Sequence, residues 1–332
     1  MKYPRSIDII NGAAVGRNQI MVIILLLWPI LLSYILYPYT FGFGWNAGRG
    51  GFLIVAVIAL IEISESRPVI KRHESWMLIV FASFISLYFI GLSFGASDVL
   101  SDIGRSAGVL INKSWISMWD YVILAIYFIV ILMLFFGRKD WLRIGGAATL
   151  FLTGYAIILL LDSLFPYDSL GIFQFIVPAY MSFNAQIINS IIHILDIQTH
   201  FASQTLGNTL VIYGPDGPFV MKVYWPSAGI HSIIIFGLVI LAFFLKTVIP
   251  RKRAVIYLFF GILLTCIVNS MRITILSLYT LDPNSDPSSW EQLHSTIGEV
   301  MFIPWILLYA IFVIYLEKHR FGAKRKTEFT RQ

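Results

Sequence analysis

The chain has 332 residues, 58% hydrophobic and 13% charged, with a formal net charge of +6 and a mean hydropathy of +0.80. About a quarter of a soluble domain is charged. The apolar residues also fall in blocks of about 20, the length a helix needs to cross hydrocarbon, which excludes a small soluble domain and predicts an all-α, polytopic transmembrane helical bundle.

From the N-terminus, the run near 19–38 follows Lys2, Arg5 and Arg17. It passes into YPYTFGFGW with no small-x-small cleavage site, so a retained signal-anchor span is expected. Further spans are expected near 50–66, 75–95, 119–136 and 144–161; Glu62 and Glu65 make the second of these five the weakest. Residues 1–161 read as scaffold, with few polar residues at depth. Their outer loop 96–118 carries Asp98, Asp102, Arg105 and Lys113 but no chemical signature. Spans near 230–249, 254–279 and 297–316 bring the number to about eight within a single integral membrane domain, 1–332, that ends in a basic tail, 317–332.

Lys and Arg accumulate on the cytoplasmic side of a membrane protein. With the N-terminus inside, 19 of the 24 Lys and Arg residues fall in inner segments, the tail included. The expected topology is therefore an even number of spans with both termini cytoplasmic. The same positive charge needs no nucleic acid to explain it, because it lies along the inner face as an orientation signal and a contact for anionic lipid. The lone Cys266 sits within a span, so no intrachain disulfide is possible.

The segment 162–229 is assigned to the outer face. Its stretch 172–195 is apolar enough for a ninth span, which would break the charge pattern. Pro178, Asn184, Gln186, Asn189 and His193 instead suggest an interfacial or re-entrant helix, with a full span as the alternative. Further on, GPDG (214–217) is a turn signal between apolar β-formers, which predicts a short extracytoplasmic hairpin. Pro226 is then expected to open a helix holding Ser227, Gly229, His231 and Ser232.

The candidate catalytic spans, 230–316, bring three polar residues to one depth. Ser227 lies at the outer entrance of one span and His294 just before another. Arg272 lies 18 residues above the cytoplasmic start of the span between them, a rise of about 27 Å. A hydroxyl becomes a nucleophile when a base removes its proton, and histidine can do so near neutral pH. Arginine stays protonated and can stabilise a developing oxyanion or bind a carboxylate. Ser227 would attack, His294 would carry protons and Arg272 would hold negative charge. His231, four residues after Ser227, is an alternative base, and Asn269, three before Arg272, could position it. Plainer readings stand beside these. Ser227 could simply start a helix, His294 could be a solvated loop residue, and Arg272 could pair with Asp282 or Glu299 or snorkel to the interface. No metal site or cofactor is read from the chain, His193 and His200 being seven residues apart.

These residues resemble the exosortase/archaeosortase family, membrane transpeptidase-like proteases with a multi-span helical fold and an extracytoplasmic Cys–Arg–His set. The Ala-Cys-Ser-Gly-hydrophobic-Arg-Ser signature aligns with Pro226-Ser227-Ala228-Gly229-Ile230-His231-Ser232, the arginine signature with Asn269-Ser270-Met271-Arg272, and the histidine signature with His294-Ser295-Thr296-Ile297-Gly298. The likeness is most specific over 220–299. It looks like a thaumarchaeosortase-like variant in which Ser227 stands where the family has its catalytic cysteine. The resemblance implies cleavage of C-terminal sorting signals on exported surface proteins, with a membrane lipid as a conceivable acceptor. Loss of the thiol keeps a noncatalytic signal-binding relative open as an alternative, beside a lipid-linked transferase or a transporter.

Overall fold

A computed structural model describes residues 6–41, 48–64, 66, 75–165, 171–194, 202–214, 217–225, 227–247, 249–280 and 287–329. The chain forms two compact units, Met1–Leu164 and Phe165–Gln332. Among the described residues six helices are long and apolar enough to cross a membrane, and two apolar helices are shorter. The protein is an all-α, polytopic membrane bundle with one small sheet.

The first unit contains α1 (Ser6–Leu36), α2 (Gly50–Ser64), α3 (Ser75–Ser93), α4 (Ala96–Ser106) and α5 (Lys113–Leu164). The backbone of α5 leaves helical geometry at Gly137 and Gly145, so its 52 residues make two legs and accommodate the spans expected at 119–136 and 144–161. The break exposes amide groups that a straight helix would satisfy internally. Glu62, near the end of α2, meets them: its two carboxylate oxygens accept the Ala147 and Ala148 N–H at 3.0 and 3.1 Å. A carboxylate at a helix start is favoured by both hydrogen bonding and the helix dipole. Glu62 thus closes the short, 15-residue α2 against the second leg of α5; Glu65 lies outside the described residues.

This unit is less bland than its sequence. Arg49, just before α2, forms a buried ion pair with Asp120 on α5 at 2.8 Å. It also donates to Thr40 Oγ1 at 2.9 Å and lies 4.4 Å from the centre of the Tyr37 ring. Tyr88 on α3 donates to the other Asp120 oxygen at 2.8 Å. A buried charge is tolerated when paired and hydrogen-bonded, and this cluster joins α2, α3 and α5. The outer loop expected over 96–118 contains the amphipathic α4, where Asp102 and Arg105 form an exposed pair at 2.8 Å.

The second unit contains α6 (Phe173–Ile194), β1 (Ala202–Leu206), β2 (Thr209–Gly214), β3 (Gly217–Lys222), α7 (Ile230–Lys246), α8 (Arg251–Tyr279) and α9 (Pro287–Phe329). The expected hairpin is present as β2–β3, with Gly214 paired to Gly217; the turn residues 215–216 lie outside the described residues. A further antiparallel strand, β1, extends the sheet to the order β1-β2-β3. Leu210 and Ile212 are buried on one side of the sheet, while Leu206 and Val220 stand exposed on the other.

Helix α6 buries one stripe, Val177, Met181, Asn184, Ala185, Ile188 and Ile192, and leaves Phe175 and Phe183 exposed. It packs on β1 and α8. An interfacial helix and a full span both bury one side in this way, and the 22 residues of α6 are long and apolar enough to cross a membrane. Helices α7, α8 and α9 pack together. At one end of that bundle Glu317 receives hydrogen bonds from Arg253 and Tyr257, and Tyr309 donates to the Tyr257 carbonyl. Midway along, Trp305 donates to Thr265 at 2.9 Å. Such interhelical bonds anchor neighbouring spans.

Candidate active site

The helix holding Ser227 begins later than its sequence suggests. Helix α7 starts at Ile230, after a turn formed by residues 227–229, and Pro226 lies outside the described residues. Gly229 has φ +94°, a left-handed conformation that L side chains rarely adopt, and this separates the turn from the helix. The carbonyl of Gly229 accepts the Ile233 N–H, while Ala228 donates back to Tyr224 O at 2.8 Å. Ser227 and His231 therefore do not share a helical face as their spacing implies.

Gly229 also permits close approach. A Cβ there would lie 2.6 Å from Asn269 Nδ2, so the turn is pressed directly against α8. Asn269 in turn donates to Tyr180 Oη at 3.4 Å, and Tyr180 donates to the Cys266 carbonyl at 2.8 Å. Asn269 is thus the contact between the Ser227 turn, α6 and α8, and no hydrogen bond joins it to Arg272 among the described residues. Cys266 contributes its backbone at this contact.

Arg272, one turn beyond Asn269 on α8, faces α9. Its Nη2 donates to His294 Nε2 and to the His294 carbonyl, both at 3.2 Å. Arginine has no acceptor, so His294 Nε2 must offer its lone pair and the imidazole in this bond is neutral with its proton on Nδ1. Gly298, one turn further along α9, gives the guanidinium room: a Cβ there would meet Arg272 Cζ at 3.4 Å. Trp290, one turn before His294, stacks on its ring at 5.2 Å with planes 16° apart. Among the described residues no carboxylate pairs with Arg272, and its buried Nε meets no hydrogen-bond partner. Asp282 lies outside the described residues, as does the side chain of Glu299.

His231 is buried and points elsewhere. Its ring lies 6.0 Å from that of Trp225, which stacks on Phe173 of α6 at 5.0 Å. Ser227 is half-buried, and no hydrogen bond joins it to Arg272, His294 or His231 among the described residues. The residues singled out in the sequence thus form two contacts, Arg272 with His294 and the Ser227 turn with Asn269, at adjacent turns of α8. Trp290 is the site residue that sequence reasoning missed. Its position four residues before His294, on the same helical face, was the available signal. Among the described residues no group of three or more His, Cys, Asp or Glu is arranged to hold a metal ion; His200 lies outside them.

The half-buried arginine–histidine pair and the serine turn thus lie on a multi-span helical membrane bundle. The chain matches the family model described as transmembrane exosortase over residues 45–311. That covers more than half of its 332 residues, and the chain belongs to the exosortase family. No curated protein and no solved structure shows a match.

Proposed function

We propose that this protein is a sorting peptidase or transpeptidase that cleaves the C-terminal sorting signals of exported surface proteins by acyl transfer through Ser227. Its termini are cytoplasmic and its site faces the extracytoplasmic side, as the distribution of Lys and Arg favours. The observation that carries this reading is the hydrogen-bonded Arg272–His294 pair, held one helical turn from the Asn269 contact of the Ser227 turn.

In this mechanism Ser227 Oγ attacks the scissile carbonyl and forms a tetrahedral oxyanion. Arg272 transfers its hydrogen bond from His294 to that oxyanion, where a preorganised donor lowers the barrier most. The transfer frees His294 Nε2 to take the serine proton and pass it to the departing amine. Collapse leaves the acyl group on Ser227. Water, or a nucleophile carried by a membrane lipid, then attacks the ester and returns the serine. Asn269 holds the turn, and His231 supports it through Trp225.

A second reading, a noncatalytic relative that binds sorting signals, draws support from the lack of a hydrogen bond between Ser227 and either histidine. The test follows a C-terminally tagged membrane substrate from precursor to shortened product. Ser227→Ala and His294→Ala should stop conversion with membrane expression intact, and His231→Ala should cost far less. Full processing by His294→Ala with loss in His231→Ala would exchange the two roles. Capture of precursor without conversion by the wild type would establish the binding reading.

A further inference from the structure

The β3 edge of the small sheet carries main-chain groups that no described residue pairs, and that edge leads into the proposed site. Strand β1, at the opposite edge, packs against α6. The Val223 N–H bonds to Asn208 O at 2.9 Å, which fixes the phase of the β2–β3 ladder. Residues 219, 221 and 223 turn their main-chain groups toward β2, so residues 218, 220 and 222 turn theirs outward. Pro218 has no N–H to offer. Val220 and Lys222 each present a donor and an acceptor, and neither is hydrogen-bonded among the described residues.

Side chains alternate with the same phase. Phe219 and Met221 face inward, and the Phe219 ring lies 5.7 Å from Trp290, which stacks on His294. Pro218, Val220 and Lys222 face outward, with Val220 60% exposed. Natural proteins blunt exposed edges with proline and lysine, and Pro218 and Lys222 serve that end. The outward main-chain groups of Val220 and Lys222 themselves stay open, on a strand tied through Trp290 to His294 and only five residues ahead of Ser227.

We infer that β3 is a docking strand: an extended segment of the substrate polypeptide pairs with Val220 and Lys222 as a fourth strand and is thereby led to Ser227. Main-chain hydrogen bonds supply affinity in this mode and alternate side chains supply selectivity. The fitting segment places an apolar residue beside Val220 and a carboxylate beside Lys222, whose ammonium lies 5.3 Å from the centre of the Tyr224 ring. The chain from Lys222 to Ser227 spans at most about 17 Å, so the scissile bond lies roughly five residues from the residue paired with Lys222. This inference rests on the peptidase or signal-binding reading of the site.

The test measures binding rather than turnover, on full-length Ser227→Ala protein in nanodiscs. One probe is a synthetic dodecapeptide in which valine and glutamate take turns at every second position with threonine between them, so that both meet the same face of β3. The second is the same peptide N-methylated at every other residue, which removes the donors a strand partner needs. The unmethylated peptide should bind about tenfold more tightly or better, from two or more main-chain hydrogen bonds. Val220→Pro, which removes the outward N–H and sets its ring Cδ where a paired strand's carbonyl would lie, blocks pairing along this edge and should abolish that preference. Equal binding of both peptides to Ser227→Ala protein would overturn the inference whether or not the Val220→Pro variant folds. So would Val220→Pro protein that retains the preference. A clear preference in a chain that processes no substrate would sustain the docking strand while sinking the catalytic reading. Processing by a chain that binds both peptides equally would do the reverse.

Discussion

Gly229→Ala isolates the contact that seats the Ser227 turn. Two costs follow from the geometry. A non-glycine residue at φ +94° is disfavoured by about 1–2 kcal/mol. The new Cβ would also lie 2.6 Å from Asn269 Nδ2 and 2.7 Å from its Cγ, an overpacking that typically costs about 1–3 kcal/mol. The sum, roughly 2–5 kcal/mol, should appear in denaturant titration of the purified protein in mild detergent. Gly237, within α7, has open space where its Cβ would lie, and Gly237→Ala should be neutral or stabilise by up to about 1 kcal/mol. Adding Asn269→Ala removes the clashing amide but leaves the backbone cost. The double variant should therefore recover part of the loss, with a coupling of about 1–3 kcal/mol. If Gly229→Ala were as stable as the wild type, or if the two changes were additive, the turn would not be pressed on Asn269 as described.

Three further outcomes are expected. Arg272→Lys should lower processing about 100-fold or more, because a point charge cannot reproduce the planar fork that holds His294 and meets an oxyanion; the precursor-to-product assay reads this directly. Asp120→Asn should destabilise the protein by about 3–5 kcal/mol by leaving Arg49 without its buried counter-ion, and the double change Arg49→Met with Asp120→Leu should cost less than Asp120→Asn alone, as read by thermal unfolding. Glu62→Ala should cost about 1–3 kcal/mol by uncovering the Ala147 and Ala148 amides; Glu62→Gln, which keeps one acceptor, should cost less in the same measurement.

Spans and patterned turns were legible in the sequence because their signals are local. Long apolar runs announce helices, and GPDG announces the β2–β3 turn. Arg272 was legible because a guanidinium within IVNSMRITIL must find a polar neighbour, and the family signatures pointed to His294. What escaped depended on distant partners. Arg49 and Asp120 are 71 residues apart, and Glu62 reaches amides 85 residues away. Nothing local couples either pair. Strand β1 escaped because ASQTL is polar and gains its place by pairing with β2. The Ser227 turn was mistaken for helix because Pro226 suits a helix start, whereas the left-handed backbone of Gly229 is set by its contact with α8.

The central claim is that Ser227 carries the acyl group, and the most direct measurement is the mass of the peptide containing it. Full-length protein incubated with a membrane-anchored substrate and quenched in acid should yield that peptide with the added mass of the substrate's acyl fragment. The adduct should be absent in Ser227→Ala and shift to a thioester in Ser227→Cys. Product formed at the wild-type rate by Ser227→Ala, or turnover with no adduct on this peptide, would contradict the account.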